Sequence, residues 1–116
     1  MEIVDEKTFQ NIELRYLKED DLHRYINFSI PGNEFNFNLD IYKAAFIFKR
    51  NAINMISYEI KSLEIKLDDI KIKIEMDDSV MMYFEKENNT KASIEVLYAQ
   101  LIKIVNFISY CEISIW

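Results

Sequence analysis

Glycine and proline occur once each in the 116 residues, at Gly32 and Pro31, and cysteine and histidine once each, at Cys111 and His23. One glycine cannot build a dinucleotide fingerprint, a P-loop or a nucleophile elbow, since each needs several glycines to bring backbone against phosphate or through a strained turn. Nucleotide-dependent enzymes are thereby set aside. One cysteine forms no intramolecular disulfide, and one cysteine with one histidine falls short of a zinc ligand set. The longest apolar stretch, from Ile94 to Ile115, is broken by Glu95, Gln100, Lys103, Asn106 and Glu112. A bilayer-spanning helix needs about 20 predominantly apolar residues, so this stretch is core material. The start, Met1–Glu2–Ile3–Val4–Asp5–Glu6, lacks the basic and apolar regions of a secretory signal, and a reducing, cytoplasmic compartment is expected.

Basic residues are also short, 14 against 20 acidic, for a net charge of −6. Phosphate recognition depends on neutralisation by Lys and Arg, and no dense basic run exists, so direct nucleic-acid binding is disfavoured and a basic partner fits better. The cluster Phe48–Lys49–Arg50 with Lys43 reads as a solvated helix face.

Half of the chain is hydrophobic and 14% aromatic, too apolar for a disordered tail. A chain of this length forms one domain, residues 1–116, burying roughly two-thirds of its unfolded surface. Nineteen isoleucines and ten asparagines against five alanines point to A/T-rich codons. No internal repeat, low-complexity run or linker divides the sequence.

Ile12, Leu14 and Tyr16 alternate with Glu13 and Arg15, the period of a half-buried first strand over Asn11–Leu17. Tyr25–Ile30 is a second strand, and Pro31–Gly32–Asn33 turns the chain into a third, Glu34–Leu39. From Asp40, an expected N-cap, Ile41, Ala45, Phe48, Ala52, Ile56 and Ile60 recur at helical spacing, although no glycine marks the helix end. Leu63, Ile65 and Leu67, then Ile70, Ile72, Ile74 and Met76, form a hairpin around Asp68–Asp69. Its register sets Leu63 against Ile74 and Ile65 against Ile72, with Lys66 opposite Lys71 and Glu64 opposite Lys73. After Asp77–Asp78–Ser79, Val80–Glu85 carries apolar residues on both faces and is expected to be central or covered on both sides. Thr90 is the expected cap of a helix bearing Ile94, Leu97, Tyr98, Leu101, Ile104, Val105 and Ile108. Ile113 and Ile115 suggest a terminal strand. The fold class is α+β, a mostly antiparallel sheet of about five to seven strands with two amphipathic helices packed on it.

Chemistry-bearing candidates are few. His23, in Asp20–Asp21–Leu22–His23–Arg24, could be a carboxylate-oriented general base, but reads first as a surface-loop histidine. Cys111 reads as a buried structural cysteine. The pairs Asp20–Asp21, Asp68–Asp69 and Asp77–Asp78 contain no EF-hand pattern and read as turn residues ahead of metal ligands or a glycosidase pair. Phe35–Asn36–Phe37–Asn38 resembles a stacking platform without its basic complement, and reads as core. Met76, Met81 and Met82 read as core fillers ahead of an adaptable binding surface.

In size, acidity, A/T-rich bias and α+β pattern the chain resembles the bacterial immunity proteins of polymorphic-toxin and contact-dependent growth inhibition systems. The resemblance implies a non-enzymatic protein, without cofactor or metal, that neutralises one cognate toxin, often a nuclease, by occluding its working surface. Acidic residues would steer such a basic toxin. The expected contacts are Glu19, Asp20, Asp21, Asp68, Asp69, Asp77 and Asp78, on the assumption that these turns lie together. The alternatives are a structural subunit forming homo-oligomers, such as a homodimer through a sheet face or terminal strand, and a small-ligand-binding module.

Overall fold

A computed structural model describes residues 1–32, 34–67 and 69–114. The described residues form eight strands, β1 (Glu2–Phe9), β2 (Ile12–Lys18), β3 (Arg24–Ile30), β4 (Phe35–Asp40), β5 (Ser62–Lys66), β6 (Ile70–Met76), β7 (Val80–Lys86) and β8 (Lys91–Val96). They make two antiparallel four-stranded sheets in simple sequential order, β1-β2-β3-β4 and β5-β6-β7-β8. Each sheet is followed by helix. The first is α1 (Ile41–Ala45), a π-helical turn over Phe46–Asn51 and α2 (Ala52–Ser57), and the second is α3 (Tyr98–Ile113). The fold is α+β, as the alternation patterns require, and the molecule is a four-strands-then-helix unit built twice. The sequence shows no such repeat because only the order of elements is duplicated, not the residues.

The strand patterns act as expected in β2, β3, β4 and β6, where Ile12, Leu14, Tyr16, Ile26, Phe28, Phe35, Phe37, Leu39, Ile70, Ile72 and Ile74 are buried. One apolar cluster runs through both sheets and the helices. Phe28 lies between Phe37 and Phe48, with ring centroids 4.9 and 5.2 Å away, and Phe37 meets Phe84 at 5.1 Å. This aromatic column joins the first sheet, the first helix and the second sheet. The β5–β6 register is the one the sequence specifies, with Leu63 against Ile74 and Ile65 against Ile72. Its charges pair otherwise, Lys71 with Glu64 at 3.7 Å and Lys73 with Glu75 at 2.9 Å.

Two expectations, for Thr90 and for Ile113, are corrected, and one strand is additional to those expected. β1 was unread because it is an edge strand that buries only Phe9 of its eight residues, so it carries no alternation. Thr90 does not cap a helix. Its carbonyl accepts Lys86 N–H at 2.8 Å to close the β7–β8 turn, Lys91–Val96 is a strand, and the helix begins after Leu97. Ala92, Ile94 and Val96 alternate at period two, while Ile94, Leu97, Tyr98 and Leu101 fit helical spacing. The sheet wins because the open edge of β7 takes up the backbone groups of this stretch. Ile113 ends α3 rather than starting a strand, and Ile115 lies outside the described residues. β7 is central, one of the two arrangements its apolar faces allow, and its second face is open, with Tyr83 38% exposed.

The first helix starts as read, with Tyr42 N–H donating to Asp40 Oδ1 at 2.9 Å. It ends three residues early. Glu59 takes the left-handed position with φ +54°, and Ile60 N–H reaches back to the Met55 carbonyl at 2.9 Å, a Schellman closure without glycine. The π turn widens the helix by its longer hydrogen-bond span, and Met55 is buried where the straight period had placed Ile56 and Ile60.

Candidate functional site

The densest polar constellation lies in the connection from β2 to β3. Asp20 Oδ1 accepts the backbone N–H of Leu22 and of His23, each at 2.8 Å, and faces His23 Nδ1 at 2.8 Å. Asp is suited to this because its short carboxylate reaches the backbone two and three residues on. Glu19 N–H donates to the His23 carbonyl at 2.9 Å, which closes the loop. Lys18 Nζ stands 3.0 Å from Asp21, Arg24 donates to the Tyr16 hydroxyl at 2.9 Å, and Tyr25 donates to Glu19 at 3.3 Å.

Electrostatics follow from these contacts. The hydrogen bond and charge of Asp20 raise the His23 pKa above its ordinary value, and the bond from His23 holds Asp20 below the usual carboxylate range. Lys18 does the same for Asp21. Desolvation, with Glu19 adding to it, raises Tyr25. At the centre of this braced turn Leu22 is 85% exposed, and the neighbouring Tyr42 is half exposed. An exposed apolar side chain on a hydrogen-bonded turn, among charges, suits contact with another surface. Leu22 and Tyr42 were not singled out from sequence, where a lone leucine among charges and a tyrosine at a helix start carry no periodic signal.

The seven expected contact residues do not form one cluster. Glu19, Asp20 and Asp21 share the β2–β3 turn. Asp69 precedes β6 and Asp77 follows it, so the seven residues of an extended strand, a span of about 26 Å, separate them. Asp78 stands beside Asp77 in the turn that leads to β7, and Asp68 lies outside the described residues. Strand alternation had specified the hairpin well but not where its ends point.

Other candidates resolve simply. Cys111 is buried, and loss of hydration together with the Asp5 charge pushes its thiol up to about 12. Phe48 is in the core and Lys49 pairs with Glu112 at 3.0 Å, so the basic helix cluster is divided between core, ion pair and solvent. Phe35 and Phe37 are core while Asn36 and Asn38 face outward. Met76 and Met82 are buried fillers. Among the described residues no group of three or more His, Cys, Asp or Glu side chains is arranged to hold a metal ion. The open face of the second sheet holds a cleft of about 510 Å³ around Tyr83, in which Lys71 and Lys91 are each near a glutamate. No helix of the described residues is long and apolar enough to cross a membrane.

No protein-family model matches the chain, and no curated protein matches it. Among solved structures it is similar to crystal structures of Trypanosoma bruciei MRP1/MRP2, with a TM-score of 0.52 and 10% identity over 91% of this chain and 76% of that one. At that identity the likeness concerns the fold alone.

Proposed function

We propose that the chain is an immunity-type protein that binds a basic toxin and occludes its working surface, without chemistry of its own. The observation that supports this is the β2–β3 turn, where Asp20 holds the backbone of Leu22 and His23, Lys18 pairs with Asp21, and the leucine side chain stands exposed between the two carboxylates and the histidine. Contacts ordered before binding lose less conformational entropy on association, and an apolar centre within a charged rim is the arrangement that concentrates binding energy. The net charge of −6 draws a cationic partner over a Debye length of about 8 Å and raises the rate of encounter. Of the seven residues named from sequence, Glu19, Asp20 and Asp21 form this contact. The second sheet turns its own acids to different parts of the surface.

The test is co-expression with the large gene directly upstream of its own, under conditions where that gene alone stops growth. Restored growth and a co-purifying complex are expected, both weakened by Leu22→Glu with Asp21→Lys. Absence of both rescue and complex with the unaltered chain ends the reading.

A further inference from the structure

The duplicated architecture provides an internal comparison. β4 and β8 are the last strands of their sheets, and each runs beside the turns of the other sheet. Along β8 the outer edge is closed, since Asn11 Nδ2 donates to the Glu95 carbonyl and Leu97 N–H donates to Gln10 Oε1 at 3.1 Å. Gln10 and Asn11 form the turn between the first two strands of their sheet. The corresponding turn of the second sheet carries Asp69, and a carboxylate has no N–H with which to close a carbonyl edge. Among the described residues no hydrogen bond from the second sheet reaches Asn36, Phe37 or Asn38. A cleft of about 450 Å³ runs there instead, between these residues and Asp69, Lys86 and Glu87.

β4 also lacks the devices that blunt a sheet edge. β1 has a bulge at Val4 and three consecutive charged residues, Asp5, Glu6 and Lys7, whereas β4 reads Phe-Asn-Phe-Asn-Leu before its terminal Asp40. The charges select the composition of a chain added there. Glu34 and Asp40 stand at the ends of β4, Asp69 and Glu87 form the wall, and Lys86, the base among the described residues that line the cleft, lies over the Phe35 ring at 4.8 Å. Asp40 is the cross-strand partner of Tyr25, which joins this edge to the β2–β3 turn.

We propose that an extended, lysine- or arginine-bearing segment of the protein partner adds as a fifth strand along the outer edge of β4, with main-chain hydrogen bonds to Asn36–Asn38 and its basic side chains on Asp69 and Glu87. This rests on the reading above that the partner is a protein, and it names where that partner's chain runs.

The probe is the acetylated, amidated peptide Lys-Val-Lys-Val-Lys-Val, titrated into the isotope-labelled full chain and followed by amide chemical shifts. Shifts confined to residues 36–38, 69–70 and 86–88 are expected. Affinity should drop about tenfold or more when alternate peptide nitrogens are methylated, and similarly in the chain carrying Asp69→Lys with Glu87→Lys, whose exposed turn positions leave the core untouched. Shifts elsewhere, undiminished binding of the methylated peptide, or a response of these amides to an oligothymidylate rather than the peptide would each overturn the proposal. In the co-expression assay, full rescue by the Asp69→Lys, Glu87→Lys chain rejects the β4 edge and leaves the proposed function standing. Failure of the unaltered chain to rescue or bind removes that function, while the peptide titration still decides the edge.

Discussion

Asp20 accepts its three bonds within one turn, and two opposite titrations follow. His23 is raised by Asp20, so its contribution to stability is complete below the ordinary histidine value of 6.5 and is lost as pH rises through the raised value. Asp20 is lowered, so its contribution is complete above 3.8 and is lost as pH falls through the lowered value. The turn is therefore most firmly held between those two ordinary values. An NMR titration should place His23 above 6.5 and return it towards that value in Asp20→Asn. Cys111 makes the contrasting case: with its thiol pushed up to about 12 and no exposed surface, it should resist iodoacetamide in the native state and alkylate readily in denaturant. In the core, Phe28→Ala removes the ring between Phe37 and Phe48 and should cost about 3–5 kcal/mol, read from denaturant melts. At this scale the sequence was legible where a residue has one plausible environment. Cys111 and the Phe35/Phe37 pair were read correctly because apolar neighbours at a fixed period leave a buried position no alternative. Leu22 was not, because exposure of a loop side chain is set by contacts from elsewhere.

The first helix shows how an element is terminated without the usual residue. Glu59 occupies the left-handed position that favours glycine, at a conformational cost of about 1 kcal/mol. Glu59→Gly removes that strain but loosens the unfolded chain, and a net gain of about 0.5 kcal/mol, seen as a higher melting temperature, is expected. β1 differs from its neighbours by burying almost nothing. Its amides should exchange with deuterium well before those of β2 and β3. Elements whose two faces differ, such as β2, β4 and β6, were visible as patterns. β1 has two similar faces, and Lys91–Val96 satisfied two periods at once, so neither could be assigned from its own residues. The missing decision in the second case lay in β7, whose open edge selects a strand.

For the whole molecule, the duplicated arrangement sets each sheet's last strand beside the other sheet's turns, and this decides which charges act together. The acids before and after β6 are neighbours in sequence terms but point to opposite ends of one strand. Conversely Asp40, Asp69 and Glu87, far apart in the chain, border one edge. A partner guided by these charges should associate more slowly as salt rises, with a smaller change in dissociation rate, measurable by stopped-flow mixing at several ionic strengths.

The sequence by itself determined the α+β class, the faces of most strands, the register of the β5–β6 hairpin and the single glycine, cysteine and histidine, because each depends on local alternation or on composition. Only the tertiary structure decided that there are two sheets instead of one, that β8 is a strand, that the acidic turns are dispersed and that no hydrogen bond from the second sheet reaches Asn36, Phe37 or Asn38 among the described residues. Those outcomes arise from pairing and packing between segments, from the adjacent strands β7 and β8 to stretches more than thirty residues apart such as β4 and the turn before β6. Backbone groups and charges are satisfied by whatever the fold brings beside them, and a residue's own neighbours in the chain carry no record of it.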